Sequence, residues 1–231
     1  MSTAKYPSLV MVIRHGEKPG DPANDDDGGP SLSVLGSARA AALPSLFTPD
    51  PTTTPVGSLQ QLTCDLTVGA TGSQFSGAYS SSAISAGQSR FQTPQFLFAT
   101  QQTPPSKKNP SGGSNRPVET ITPLAQALSF FQNQTITIND SFANSNSGIL
   151  GLTSAILNNP GTYAGQVMLI CWHHGSIPQL VQSFGVPETQ FPNWPSSTVF
   201  DLVLCVTWVA DLAQLVVNYQ QLLYGDTTPS S

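Results

Sequence analysis

Two short apolar runs, each stopping at histidine and glycine, constrain this chain more than anything else in it. Ser8-Leu-Val-Met-Val-Ile13 leads into Arg14-His15-Gly16-Glu17, and Val167-Met-Leu-Ile-Cys-Trp172 leads into His173-His174-Gly175. Neither run alternates apolar with polar residues. A strand with one wet face would alternate, so both read as strands buried on two faces. That environment exists in a parallel sheet covered by helices.

The rest of the chain supplies the other strands and the cover. Strands are expected at Gln95–Thr100, Thr135–Ile138 and Phe200–Trp208. Helical spacing of Leu32, Leu35, Ala38, Ala42 and Leu46 predicts a helix over Ser31–Phe47, with a break near Pro44. Further helices are expected from Arg116, where Pro117 suits a first turn, and over Ser147–Leu157. Leu212–Leu223 fits a helix by its spacing, while Leu215-Val-Val217 would also serve as a strand beside the fifth. Strands alternating with helices give an α/β fold, three layers with a mostly parallel central sheet. The 231 residues fit one domain, carrying a Ser/Thr/Gly/Gln/Pro-rich insertion at about 48–93 with at most short strands such as Leu66–Val68.

Charge narrows the partners. Only 9% of residues are charged, and eight Lys+Arg against 13 Asp+Glu leave a net charge of −5. With no basic field, neither nucleic acid nor an anionic membrane is expected as partner. The longest apolar stretch, Val199–Val217, is interrupted by Asp201 and Asp211, where a span needs about 20 mainly apolar residues. The Leu9–Ile13 run is too short for a leader. A cytoplasmic location is therefore the expectation. Three cysteines make no disulfide framework; Cys64, Cys171 and Cys205 are expected as small buried apolar residues. Asp25-Asp26-Asp27 reads as a solvated turn.

With three His and four Arg in the chain, their placement is informative. His15 follows the first strand and His174 the fourth. In a parallel sheet those ends open on one edge, where ligands bind. Arg116 opens the helix after the second strand and faces the same edge. Arg14, His15, Arg116 and His174 converging on one spot would repel each other unless an anion lay between them. Phosphate fits: guanidinium groups fork onto its oxygens, and a helix N-terminus adds donors. An imidazole with one nitrogen held by a neighbour can use the other as a nucleophile toward phosphorus.

These residues carry a resemblance. Arg14-His15-Gly16-Glu17 after a strand, Leu32-Ser-Val-Leu-Gly-Ser-Ala-Arg-Ala40, Phe98-Ala-Thr100 with Ser114-Asn-Arg116-Pro-Val-Glu-Thr120, and Leu169-Ile-Cys-Trp-His-His-Gly175 together resemble the histidine phosphatase superfamily, the phosphoglycerate mutase-like fold. The pieces stand in the family's order and leave out only the insertion. The resemblance implies that His15 accepts the phosphoryl group as phosphohistidine. It implies that Arg14, Arg116 and His174 hold the phosphate oxygens. Water then frees phosphate from a small phosphorylated substrate, with no cofactor and no metal.

The general acid is the awkward member. One branch of the family carries it after the third strand, where Asp140 stands; Glu119 and His173 are reserves. His173 otherwise reads as a supporting or packing residue, Glu17 as a group that orients the site, and Arg39 as a helix-surface or ion-pair residue. Arg90, in Ser89-Arg-Phe-Gln-Thr93, rivals Arg116, but a helix and then a strand follow Arg116, as the fold demands. Two further readings stay beside hydrolysis. A mutase would pass the phosphoryl group to a second hydroxyl, with lysine only at positions 5, 18, 107 and 108 to help grip a second phosphate. A binding module would keep the pocket without turnover.

Overall fold

A computed structural model describes residues 4–19, 29–48, 89–104 and 113–226. The Asp25–Asp27 turn, the Leu66–Val68 strand, Cys64 and most of the 48–93 insertion lie outside the described residues. The described residues form a mixed α/β fold around a six-stranded sheet. Its order is β3 (Ile138–Phe142), β2 (Phe96–Thr100), β4 (Val167–Trp172), β1 (Leu9–Arg14), β5 (Leu202–Val209) and β6 (Leu212–Tyr219). The β3–β2, β2–β4 and β4–β1 pairings are parallel; β1–β5 and β5–β6 are antiparallel.

Every residue of β1 and β4 is buried, as continuous apolar runs require. Alternate side chains feed opposite layers. Met11, Ile13, Leu169 and Cys171 pack with Leu43, Leu46, Ile121, Leu124 and Leu128. Those partners belong to α1 (Val34–Ala42) and its exit, α2 (Pro44–Phe47) and α3 (Arg116–Gln132). Val10, Val12, Met168 and Ile170 pack the other way, onto Ile149, Leu152, Ile177 and Leu180. These come from α4 (Asn146–Leu157) and α6 (Ile177–Ser183), with the single turn α5 (Pro160–Tyr163) between them. Truncating one of these buried Leu, Ile or Met side chains to alanine costs about 2–5 kcal/mol, so both layers are needed.

One element differs from expectation, one had none, and one had two readings. β3 begins at Ile138, where the expected strand ended, because its place is set by pairing with β2: Leu97 sits opposite Ile138 and, after a register shift, Thr100 opposite Phe142. Asn139 and Asp140 therefore stand inside the strand. α6 had no expectation; at seven residues it is too short to show a full helical period. Leu212–Tyr219 resolves as strand, paired from Val209–Leu212 to Leu202–Tyr219. Its turn, Ala210-Asp211, has φ of 49° and 65°, the left-handed geometry of a tight hairpin. Pro44 does break the first helical region, and α3 runs unbroken through Pro123. Among the described residues, no helix is long and apolar enough to cross a membrane.

Candidate active site

Parallel register sets the centre of the site. Arg14 pairs with Trp172, so the next residues to leave the sheet side by side are His15 and His173. The His15 N–H donates to the Trp172 carbonyl at 3.1 Å, and the two imidazole rings meet edge to face with centroids 5.1 Å apart. The histidine facing His15 is thus His173, the residue expected only to support the site. His174 lies one step further on, half-buried in the same cavity wall.

A cavity of about 420 Å³ opens here, lined by Arg14, His15, Lys18, Arg116, His173 and His174 among others. Three helix starts surround it. Arg116 is the first residue of α3; Asn144, Ser145 and Asn146 lead into α4; Ser176 precedes α6. Helix N-termini favour anions through their aligned N–H groups. Among the described residues, no carboxylate lines this cavity.

His15 is almost wholly buried, and its Nδ1 lies 2.7 Å from the Gly16 carbonyl oxygen. A carbonyl can only accept, so Nδ1 carries the proton and Nε2 keeps its lone pair. Burial, then the neighbouring His173, holds the His15 pKa well below the usual imidazole value. Burial, followed by the charges of Arg116, His174 and Arg14, lowers His173 to about 4. Both rings are neutral at pH 7.

Arg14 is 1% exposed. Its Nη1 donates to the carbonyls of Ser197 and Val199, and its Cζ lies 3.5 Å from the Phe200 ring centroid. The Trp194 indole N–H donates to the same Val199 oxygen at 3.1 Å. Arg116 donates to the Gly29 carbonyl at 3.2 Å. Thr120, one turn along α3, donates its hydroxyl to the Arg116 carbonyl and accepts the Gly16 N–H at 2.9 Å, tying the His15 loop to the helix start. The rival Arg90 is elsewhere, donating to the Gln220 carbonyl and to Gln221.

The remaining candidates do not reach the cavity. Asp140 is half-buried within β3 and is not among the cavity's lining residues. The loop that does arrive after β3 brings Asn144–Asn146 instead. The Glu119 carboxylate accepts the Leu32 N–H at 2.8 Å. Glu17 is buried against Arg39, whose Nη2 lies 2.6 Å from Glu17 Oε1 and 2.6 Å from Asp226 Oδ1. Gly16 is needed for contact with α1: a Cβ there would lie 2.9 Å from the Gly36 carbonyl oxygen. Around Gly175, by contrast, a Cβ would meet nothing within 4 Å.

A second cavity of about 460 Å³ adjoins the first, sharing His174, Gly175 and Gln179 as walls. Its far side is built from Glu188, Trp194, Ser196 and Ser197, among others.

No protein-family model and no curated protein matches this sequence. Solved structures similar to the fold include SixA from Agrobacterium tumefaciens, assigned as a phosphohistidine phosphatase, at 14% identity and a TM-score of 0.46, covering 91% of this chain and 96% of that one. Another is a protein from Escherichia coli K-12 substr. MG1655 assigned as an alpha-ribazole-5'-P phosphatase, at 10% identity and a TM-score of 0.46, covering 93% of this chain and 97% of that one.

Proposed function

We propose that this protein hydrolyses phosphate monoesters through a phosphohistidine at His15. The observation that carries the reading is one cavity, at the carboxyl edge of the sheet, whose walls a neutral, oriented imidazole shares with two arginines. The sequence resemblance described above points the same way. Arg14 and Arg116 grip the equatorial oxygens of a phosphoryl group, and His173 hydrogen-bonds to it in the place first given to His174. Such preorganised donors stabilise charge that develops in the transition state.

In the first step the Nε2 lone pair of His15 bonds to phosphorus as the ester P–O bond breaks. The leaving oxygen takes a proton from protonated His174, which lines both cavities and so stands where the departing group crosses between them. In the second step water bonds to phosphorus, its proton returns to His174, and the P–N bond breaks. The sum is ester plus water giving alcohol plus phosphate, with both histidines restored.

Hydrolysis of para-nitrophenyl phosphate by wild type and His15→Ala tests this, together with acid quenching to trap an acid-labile phosphoenzyme. The expected result is turnover and a trapped adduct in wild type, with both lost in the variant; the rate falls by about 10⁴-fold or more, as when other covalent nucleophiles are removed. Turnover that survives His15→Ala would overturn the reading. Vanadate binding without turnover between pH 4 and 8 would mark a phosphate-binding module instead.

A further inference from the structure

We infer that the second cavity is the seat of the leaving alcohol, and that it selects an uncharged or cationic hydrogen-bonding group over an anionic one. The inference rests on the phosphatase reading of the first cavity and adds the class of substrate.

The two cavities are joined by more than shared lining. Arg14, which reaches toward the phosphate, donates to the carbonyls of Ser197 and Val199, and Ser197 lines the second cavity. The Val199 oxygen also receives the Trp194 indole N–H, so the ring that walls the second cavity hangs from the same carbonyl as the arginine of the first. An ester whose phosphate is held by Arg14 and Arg116 has His174 and Gln179 beside its bridging oxygen. The second cavity is then the adjoining space for the rest of the molecule.

The chemistry of the two spaces differs. The first is lined by Arg14, Arg116 and Lys18. Among the described residues, the second has no lysine or arginine in its lining and one carboxylate, Glu188. Gln182, Asn193 and Ser196 offer hydrogen bonds, and Trp194 offers an aromatic surface, which attracts cations and neutral rings alike. A carboxylate or second phosphate placed on the far side would face Glu188, with no lysine or arginine among the described lining residues to offset it and His174 back at the shared wall. Glu188 is exposed, so solvent screens its field and the discrimination it supplies is a few-fold.

A matched set of non-hydrolysable phosphonates tests this: 3-hydroxypropyl-, 3-aminopropyl- and 3-carboxypropylphosphonate, titrated calorimetrically into the full-length protein. The hydroxyl and amino members should bind about threefold to fivefold more tightly than the carboxyl member. Glu188→Gln should bring the three within about twofold, and Glu188→Lys should reverse the order. Trp194→Ala should weaken the amino member most, by about threefold to fivefold. Equal binding of all three by wild type, or a ratio unmoved by both Glu188 variants, overturns the subsite and leaves the phosphatase reading standing, since the phosphonate end still binds. Failure of all three to bind, and of inorganic phosphate with them, overturns the two readings together.

Discussion

Glu17 and His15 are two residues apart, yet they belong to clusters that handle charge in opposite ways. Glu17, Arg39 and Asp226 form a closed set: one guanidinium between two carboxylates, with Arg39 3% exposed. Burial works against the Arg39 charge, but the bonds from Asp226 and Glu17 outweigh it, and its pKa rises above the ordinary value. The cluster at His15 gathers cations and neutral imidazoles around an open cavity, with no carboxylate among the described lining residues. One strand end thus feeds a strut, complete in itself, and an open cavity whose described walls carry basic and neutral side chains. Buried charge alone does not mark a functional site; here the closed cluster lies away from the cavity and the other cluster lines it.

Substitutions sharpen that contrast. Arg116→Ala should lower kcat/KM for para-nitrophenyl phosphate by about 10²–10³, with little change in thermal midpoint, as for loss of one transition-state donor elsewhere. Arg39→Met should do the reverse. Leaving Glu17 and Asp226 facing each other costs about 3 kcal/mol or more, a drop of roughly 6–12 °C in Tm for a chain of this size, while KM of the folded fraction stays near wild type. A large KM change in Arg39→Met with an unchanged melt would erase the distinction.

Acidity separates the clusters further. The His15 and His173 pKa values lie below the unfolded imidazole value of about 6.5. Between those folded values and 6.5 the unfolded chain binds more protons, so stability rises with pH there and is lost on acidification, by about 1.4 kcal/mol per pH unit for each group. Thermal melts from pH 7 to pH 4 should show this decline, and His173→Asn should make it shallower. An unchanged slope in that variant would refute a buried, neutral His173. The smallest effect is expected for Asp140→Asn: within about twofold for every leaving group, because its carboxylate does not line the cavity. A selective loss with alkyl phosphates would return Asp140 to the role the third-strand pattern suggested.

Legibility in the sequence followed burial. β1, β2 and β4 announce themselves because a strand covered on both faces must be apolar throughout. β3, reading Ile-Asn-Asp-Ser-Phe, carries no such run; it lies at the sheet edge and takes its register from β2. The chain around Asp140, expected to follow the strand, lies within it for that reason, away from the cavity's lining. That Arg14, His15 and Arg116 meet at one cavity was legible from their positions at element ends. The choice between His173 and His174 was not, because it depends on how two distant strands align, which no local pattern encodes. Arg39 was visible as a candidate ion-pair residue, but its second partner, Asp226, is 187 positions away.

The carbonyl of Val199 has one more consequence. Of the three tryptophans, Trp172 is sealed in the core and Trp208 lies stacked on Tyr6, whereas Trp194 borders a cavity and shares its acceptor with Arg14. A guanidinium drawn toward a bound oxyanion loosens its hold on that oxygen and alters the indole's surroundings. Vanadate loading should therefore change the protein's tryptophan emission without any added label, and that response should be lost in Trp194→Phe while Trp172 and Trp208 still emit.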